Sequence, residues 1–398
     1  MTRFLPRQIT IATLAACGLS LSALSSAQAT LEEVIVTAQK RTENVLDVPI
    51  AISVFSANEQ EELTSSNLTD LGRFTAGVQM NNSKAVQPTY TSRGIETNDW
   101  TVGSDPAIAV YVDGVYAARG AGAEAALVDL ARIEVLKGPQ GTLFGRNATG
   151  GAIHIISQQP VFEHEGRAKV SLGNYDRLDA EFMYNLPLAD NLALRGVAIS
   201  RQRDGYMENL TGDDLQDEDR QAIRLSLLWD IADQTSALWR VEYSELEQNS
   251  AGTATLVPPV FENANPGRTL DDFGKIATDF PNLEERQMFS TSLEINHEIG
   301  DAMTFTSITG WREFETELDE DLDGSNNPDY TFNSENPEEN DFFSQEFRLT
   351  GSSEALDWTV GATFTREHVE HVTTAIFNVS SLETFAWAEI LRAPNEAF

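Results

Sequence analysis

The chain of 398 residues has a single cysteine, Cys17, and few basic residues, with 27 Lys and Arg against 62 Asp and Glu. Cys17 lies in a leader: Arg3 and Arg7 precede the apolar run "ITIATLAACGLSLSAL", and "AQA" from Ala27 to Ala29 supplies a small-residue cleavage site. That order marks residues 1–29 as a secretory signal peptide, and it outweighs the alternative of a lipoprotein box at "LAAC", because the apolar stretch continues past Cys17. The mature chain then starts near Thr30 without cysteine, which excludes disulfides and thiol chemistry. Loss of Arg3 and Arg7 takes the net charge from -35 to -37 (-35 - 2), which excludes nucleic-acid binding through a basic patch. No run after residue 30 reaches the roughly 18 to 20 apolar residues of a spanning helix, which excludes a helical inner-membrane protein. The five histidines, His154, His164, His297, His368 and His371, sit in no nucleophile or metalloprotease motif, so no enzyme is expected. An exported hydrolase remains the enzyme-class alternative.

What is present divides at about residue 165. From Pro49 to Pro160 the text reads as one α+β unit. "PIAISVF" is strand-like, "SANE" from Ser56 to Glu59 is a capping box that starts a helix, and "NLTDLGRF" offers a second helix. "AIAVYVDGVY" carries Asp113-Gly114 between apolar residues, a hairpin signal. "AEAALVDL" reads as helix, and "RIEVLKG" and "GGAIHIIS" read as strands.

Beyond residue 165, nine strand-like runs recur, 166–174, 177–187, 192–203, 220–231, 236–247, 285–298, 303–315, 339–350 and 357–369, with clear apolar and polar alternation in some and less clean alternation in others, notably "MTFTSITGW". In one, Ile223, Leu225, Leu227 and Trp229 share a face opposite Ala222, Arg224 and Ser226. Period two with one apolar face predicts an antiparallel sheet. Short turns alternate with long polar connections, as in a transmembrane barrel, and Trp229, Trp239, Trp311 and Trp358 suit its interfacial girdles. A soluble β-sandwich has the same alternation.

The segment "EEVIVTA", Glu32, Glu33, Val34, Ile35, Val36, Thr37 and Ala38, is an exposed β-branched stretch of the kind to which a partner adds a strand. By its residues alone it serves equally as the first strand of the globular unit. It resembles the TonB box of TonB-dependent outer-membrane receptors, with Glu33 where that family favours Thr. "TSRGIET", "DPAIAVYVDGVY" and "DLARIEVLKGPQGTLFGRNATGGAIHIIS" resemble the plug domain of the same family. The glycine-rich loop lacks the Gly-Lys-Ser/Thr ending of a phosphate-binding loop, so tight turns explain it better.

The resemblance implies a signal peptide (1–29), a TonB box (30–40), a plug domain (41–160) and an antiparallel transmembrane β-barrel (165–398). Such barrels have 22 strands, and about nine cannot close around a plug of about 110 residues, so an N-terminal portion of a longer receptor or an interrupted gene is expected. The implied setting is the outer membrane of a Gram-negative bacterium. The partners are its lipid, TonB with its inner-membrane energising complex, and an extracellular small molecule. A ferric siderophore is the first expectation, with oligosaccharide, cobalamin or haem as others, and no cofactor is expected. An inactive remnant, a signal-transducing member of the family, a passive porin and an adhesin complete the alternatives.

Further candidates lie outside the box. Arg93, Arg132, Glu134, Lys137 and Arg146 are expected to bridge plug and barrel. Asn98, Asp99, Trp100 and Asp105, in an apical loop, are expected to meet the ligand, against the plainer reading of a solvated loop. "DEDLDGSNNPDY" opens like a calcium loop with Asp319, Asp321 and Asp323, yet Tyr330 stands where an EF-hand needs Glu and Pro328 is foreign, leaving looser loop Ca2+ binding as the expectation. His368 and His371 are a metal pair on one reading and a solvated strand end on the other.

Overall fold

The computed structural model describes residues 34–62, 68–81, 88–97, 104–123, 127–252, 275–324 and 331–378, with the isolated positions 86 and 326. Five strands form the plug sheet: β1 (Ile52–Ser56), β2 (Ile108–Val112), β3 (Val115–Tyr116), β4 (Leu130–Lys137) and β5 (Gly151–Ser157). Their spatial order is β1-β4-β5-β2-β3, with β5 and β2 parallel and the other pairs antiparallel. β2 is buried along its whole length, which accounts for its uninterrupted apolar sequence.

Local sequence chemistry sets the joints. The Ser56 amide donates to Glu59 (2.8 Å) and the Glu59 amide donates back to Ser56 Oγ (3.3 Å). The capping box thus starts helix α1 (Ala57–Glu62) as expected. Helix α2 (Leu68–Gly72) follows and buries Leu68 and Leu71. Asp113 and Gly114 adopt φ of 51° and 81°. This is the left-handed pair that a two-residue hairpin between β2 and β3 needs. One expectation fails: "AEAALVDL" is no continuous helix. Helix α3 covers Gly120–Ala123, whereas Leu127 and Val128 are not helical and Asp129 is left-handed (φ 52°) because wall side chains hold this stretch. The glycine-rich loop contains a single helical turn, α4 (Gly141–Phe144).

Nine long strands form an antiparallel meander, here called the wall: β6 (Glu165–Leu172), β7 (Leu178–Ala189), β8 (Leu192–Arg203), β9 (Glu218–Ala232), β10 (Thr235–Asn249), β11 (Leu283–Ile299), β12 (Met303–Asp321), β13 (Glu338–Ser352) and β14 (Asp357–His371). Each pairs with the next, as the alternation predicts. β11 has 17 residues and β12 has 19 residues. Both run well past the roughly 9 to 11 that cross a bilayer.

The wall is amphipathic in the reverse sense to a soluble sheet. Ile223, Leu225, Trp229, Trp239 and Tyr243 are exposed, while Arg224, Ser226, Arg240 and Glu242 between them are buried. Apolar residues outside and charges inside exclude the soluble sandwich and suit lipid on one face and plug on the other. The hairpin between β2 and β3 seats directly on β12. A Cβ added to Gly310 would lie 2.7 Å from both Val115 methyls. Only glycine leaves room there.

Candidate functional site

The box segment is folded onto the plug. Ile35 and Val36 pair with Asn44 and Glu43, and the Val45 amide donates to Val34 O (2.9 Å). Val36 and Ala38 are fully buried in a core shared with Tyr111, Val115, Leu136 and the wall residues Ile308 and Phe342. Residues 34–38 are thus part of the globular unit, with Ile35 and Val36 as a strand, the plainer of the two readings left open by the sequence.

A charged clasp closes its other side. Glu134, fully buried, accepts hydrogen bonds on Oε1 from the Thr37 amide (2.8 Å), the Thr37 hydroxyl (3.1 Å) and Arg132 Nε (2.7 Å), and Arg132 also donates to Thr37 Oγ1 (3.1 Å). Both edges of the segment are thus engaged, one by Glu43 to Val45 and the other by Glu134. An incoming strand has to displace at least one of them.

Behind the clasp, His154 Nδ1 lies 4.0 Å from Glu134 Oε2, and neither ring nitrogen has a hydrogen-bond partner. Burial, reinforced by Lys40 and Arg132, pushes its pKa down to about 3, so it is neutral. Lys40, two residues beyond Ala38, reaches the wall, where its Nζ donates to Glu346 (3.2 Å). The same ammonium lies 5.0 Å from the ring centres of Tyr111 and Phe144, close enough for cation–π attraction. Burial lowers the Lys40 pKa against the opposing pull of Glu346. Arg41 continues the contact, 3.3 Å from Asp357.

The plug is held mainly by arginines of the wall, which sequence reasoning missed. Arg195 makes a two-pronged ion pair with Asp129 (2.7 Å each), with Glu165 at 3.2 Å. Such a fork fixes geometry as well as charge. Arg224, Arg286 and Arg312 donate to the backbone carbonyls of Val128 (3.0 Å), Ala121 (2.9 Å) and Gly122 (2.6 Å). Arg240 lies 3.5 Å from Asp113. Two bonds from Ser157 also reach Asp113 (2.9 Å each). Burial tends to raise the Asp113 pKa, but Arg240, Arg224 and the Ser157 bonds outweigh it and leave it below the usual value. The signal was legible as arginines on the polar phase of the alternation, at positions 195, 224, 240, 286 and 312.

The expected bridging residues divide. Arg146 Nη2 pairs with Glu367 of β14 (2.7 Å), a carboxylate that also takes Arg119 (3.2 Å). Arg132 and Glu134 do not bridge to the wall, since they clasp Thr37. Arg93 stays within the plug, its amide bonded to Gly77 O (2.8 Å) and its guanidinium against Gly138. Lys137 donates to Ser53 (3.1 Å) and Ala76 O (3.4 Å), also inside the plug. These four correct the expectation, because partners far apart in sequence are invisible to local pattern.

Asn98, Asp99, Trp100, Glu32 and Glu33 lie outside the described residues, as do Pro328 and Tyr330. Asp105 is exposed and acts electrostatically on Arg146 and Tyr116; burial pushes the Tyr116 phenol up to about 12. Among the described residues no three His, Cys, Asp or Glu converge on a metal position. Asp321 accepts from the amides of Gly324 (2.7 Å) and Asp279 (3.3 Å), and Asp323 accepts from that of Phe332 (2.6 Å). These carboxylates shape a turn, which corrects the proposed grouping of Asp319, Asp321 and Asp323. His368 is exposed beside Glu370 (3.3 Å) and His371 approaches Thr373, so the two histidines do not converge.

Residues 44–152 match the model of the TonB-dependent receptor plug domain. The chain thus carries a TonB-dependent receptor plug domain. Among curated relatives, the pesticin receptor of Yersinia pestis is 32% identical over 222 residues, covering 54% of this chain and 31% of that one. The ferrioxamine receptor of Yersinia enterocolitica is 29% identical over 202 residues, covering 51% and 27%. The chain thus spans about a third of the length of these curated relatives. The crystal structure of the ferric yersiniabactin uptake receptor FyuA of Yersinia pestis superposes with a TM-score of 0.67 at 23% identity, covering 82% of this chain and 50% of that one. The ferripyoverdine receptor of Pseudomonas aeruginosa, bound to ferripyoverdine, gives 0.69 at 18% identity, covering 87% and 46%. These likenesses carry the receptor fold, a plug followed by an antiparallel wall. The family is one of transport receptors of the outer membrane.

Proposed function

We propose that this chain belongs to a receptor that imports a scarce ferric siderophore, with Glu32 to Ala38 as the segment that TonB engages. The observation that carries the reading is that the segment is held to the plug through Thr37 and Glu134, while Lys40, two residues beyond it, is held to the wall through Glu346. A strand added to the box and drawn toward the periplasm acts on both at once, so one pull bears on plug and wall together. The siderophore assignment is supported by relatives named for ferrioxamine and ferripyoverdine. Nanomolar capture corresponds to about 12 kcal/mol, which release has to overcome without chemistry at the ligand, and an energised partner supplies it.

The test is uptake of iron-loaded ferrioxamine B, ferripyoverdine and ferric yersiniabactin by iron-starved cells that express the receptor gene, with and without residues 32–38. Import of one chelate that vanishes on deletion, with surface binding retained, is expected. Import that survives the deletion refutes the TonB role. Import of haem, cobalamin or an oligosaccharide in place of any chelate refutes the siderophore assignment.

A further inference from the structure

The face of the plug sheet that carries residues 34–40 holds a titratable group with no role so far. Register across β4, β5 and β2 sets Glu134, His154 and Tyr111 side by side in one row. Leu136 and Ala152, two residues along from Glu134 and His154 and therefore on the same face, belong with Tyr111 to the core that buries Val36 and Ala38. The row thus lies beneath the segment. Thr37 meets Glu134 from above, and the Lys40 ammonium stands 5.0 Å from the centre of the Tyr111 ring.

His154 is faced from four sides. Glu134 and Arg132 come from β4, Tyr111 and Asp113 from β2 and its turn, Lys40 from the segment and Arg348 from β13 of the wall. Neither ring nitrogen has a hydrogen-bond partner, whereas a charged imidazole carries two N–H donors that both need one. The packed site has no place for that charge. Of the two carboxylates, Asp113 is engaged by Ser157 and Arg240. Glu134 Oε2 is buried without a partner and lies 4.0 Å from His154 Nδ1. A charge-assisted hydrogen bond spans about 2.7 to 2.9 Å, so the gap closes with a shift of about 1 Å. Such a shift of the carboxylate draws Oε1 away from the Thr37 amide and hydroxyl that it now holds.

We infer that His154 is a proton-operated latch beneath residues 34–40: once charged, the ring takes Glu134 from Thr37 and loosens the segment from the plug sheet. The latch concerns only the hold of the segment on the plug, so it stands apart from what engages the segment and from what the receptor imports.

The test follows exposure of Val36→Cys, a position fully buried while the segment is docked. Outer-membrane vesicles carrying the full receptor are treated at about pH 7.5 and 5.5 with methyl methanethiosulfonate, an uncharged reagent. Each rate is divided by that of Ser353→Cys, in an exposed connection of the wall, which cancels the ionisation of the thiol itself. Burial holds the covered ring at a pKa of about 3 against about 6.5 when free, so the released form binds more protons and acid makes release about tenfold more frequent. That rise is expected, and His154→Gln and His154→Leu are each expected to reduce it below about twofold. Lys40 remains in all of these proteins, so its own titration does not imitate the loss. Ile133→Cys, buried in the core on the other face of the plug sheet, is expected to react about tenfold more slowly than Val36→Cys at both pH values. A rise below about threefold in the Val36→Cys parent overturns the latch, as does a full rise that survives His154→Gln. Equal rates at Val36→Cys and Ile133→Cys assign the exposure to unfolding of the whole plug and overturn it too.

Discussion

Replacing Glu134 by Ala removes the clasp on Thr37 and should free the box without unfolding the plug. The carboxylate takes the Thr37 amide and hydroxyl at 2.8 and 3.1 Å on one oxygen. Hydrogen bonds to a charged group contribute about 1.5 to 3 kcal/mol each, and because this pair shares one acceptor we take about 2 kcal/mol for both. Burial of the Val36 side chain contributes a similar amount, about 1.5 to 3 kcal/mol, and strand pairing with Glu43 to Val45 adds to it. At about 1.4 kcal/mol per factor of ten, loss of the clasp raises the population of the released box about 30-fold. The reporter is Val36→Cys, fully buried when the segment is docked and reactive only after release, with no other cysteine in residues 30–398. Its modification rate should rise about 30-fold with Glu134→Ala and less with Glu134→Gln, which keeps an acceptor. A change below threefold, with the plug intact by proteolysis, refutes the reasoning and leaves packing and strand pairing as the whole attachment.

The same geometry sets three other outcomes. His154 has a pKa of about 3 in the packed plug against about 6.5 when free, so the packed form binds fewer protons. Its stability is present above pH 6.5 and is lost as pH falls toward 3, by about 1.4 kcal/mol at pH 5.5. Urea unfolding of the plug should show that slope between pH 6.5 and 5, and His154→Leu should flatten it, while the depressed Asp113 acts only below the ordinary aspartate range. Asp129→Asn leaves the buried Arg195 with only the half-exposed Glu165. It should destabilise the docking of plug on wall by about 3 kcal/mol, seen as earlier release in denaturant. Gly310→Ala places a methyl 2.7 Å from Val115. That substitution should cost about 1 to 3 kcal/mol, and Val115→Ala in the same chain should recover most of it.

The legible parts of this molecule were those whose cause is local. All nine wall strands follow from period-two alternation, with ends within a few residues except for β12, which runs on to Asp321 through an acidic stretch the pattern had abandoned. The Asp113-Gly114 hairpin and the Ser56-Glu59 cap were legible because their geometry is encoded within four residues. Leu127 to Leu130 read as helix but are not helical, since the tertiary bonds of Asp129 to Arg195 and of Val128 O to Arg224 override their propensity. The strand character of Ile35 and Val36 is legible in their β-branched sequence, but the clasp on Thr37 is not, because Thr37 and Glu134 lie 97 positions apart. Asp113 shows the limit from the other side. It reads as a turn former and is also the acceptor for Ser157 and a neighbour of Arg240.

The inward arginines of the wall bear on how the protein is built. Five guanidinium groups on β8 to β12 reach the plug, so a wall formed without it would have to hydrate that row of charges or neutralise it within the wall, as Glu165 and Glu242 already do in part for Arg195 and Arg224. The plug is then a template as much as a stopper. A plug variant lacking the Asp129 or Asp113 carboxylate is then expected to show itself as slower assembly in the outer membrane, before any question of transport arises.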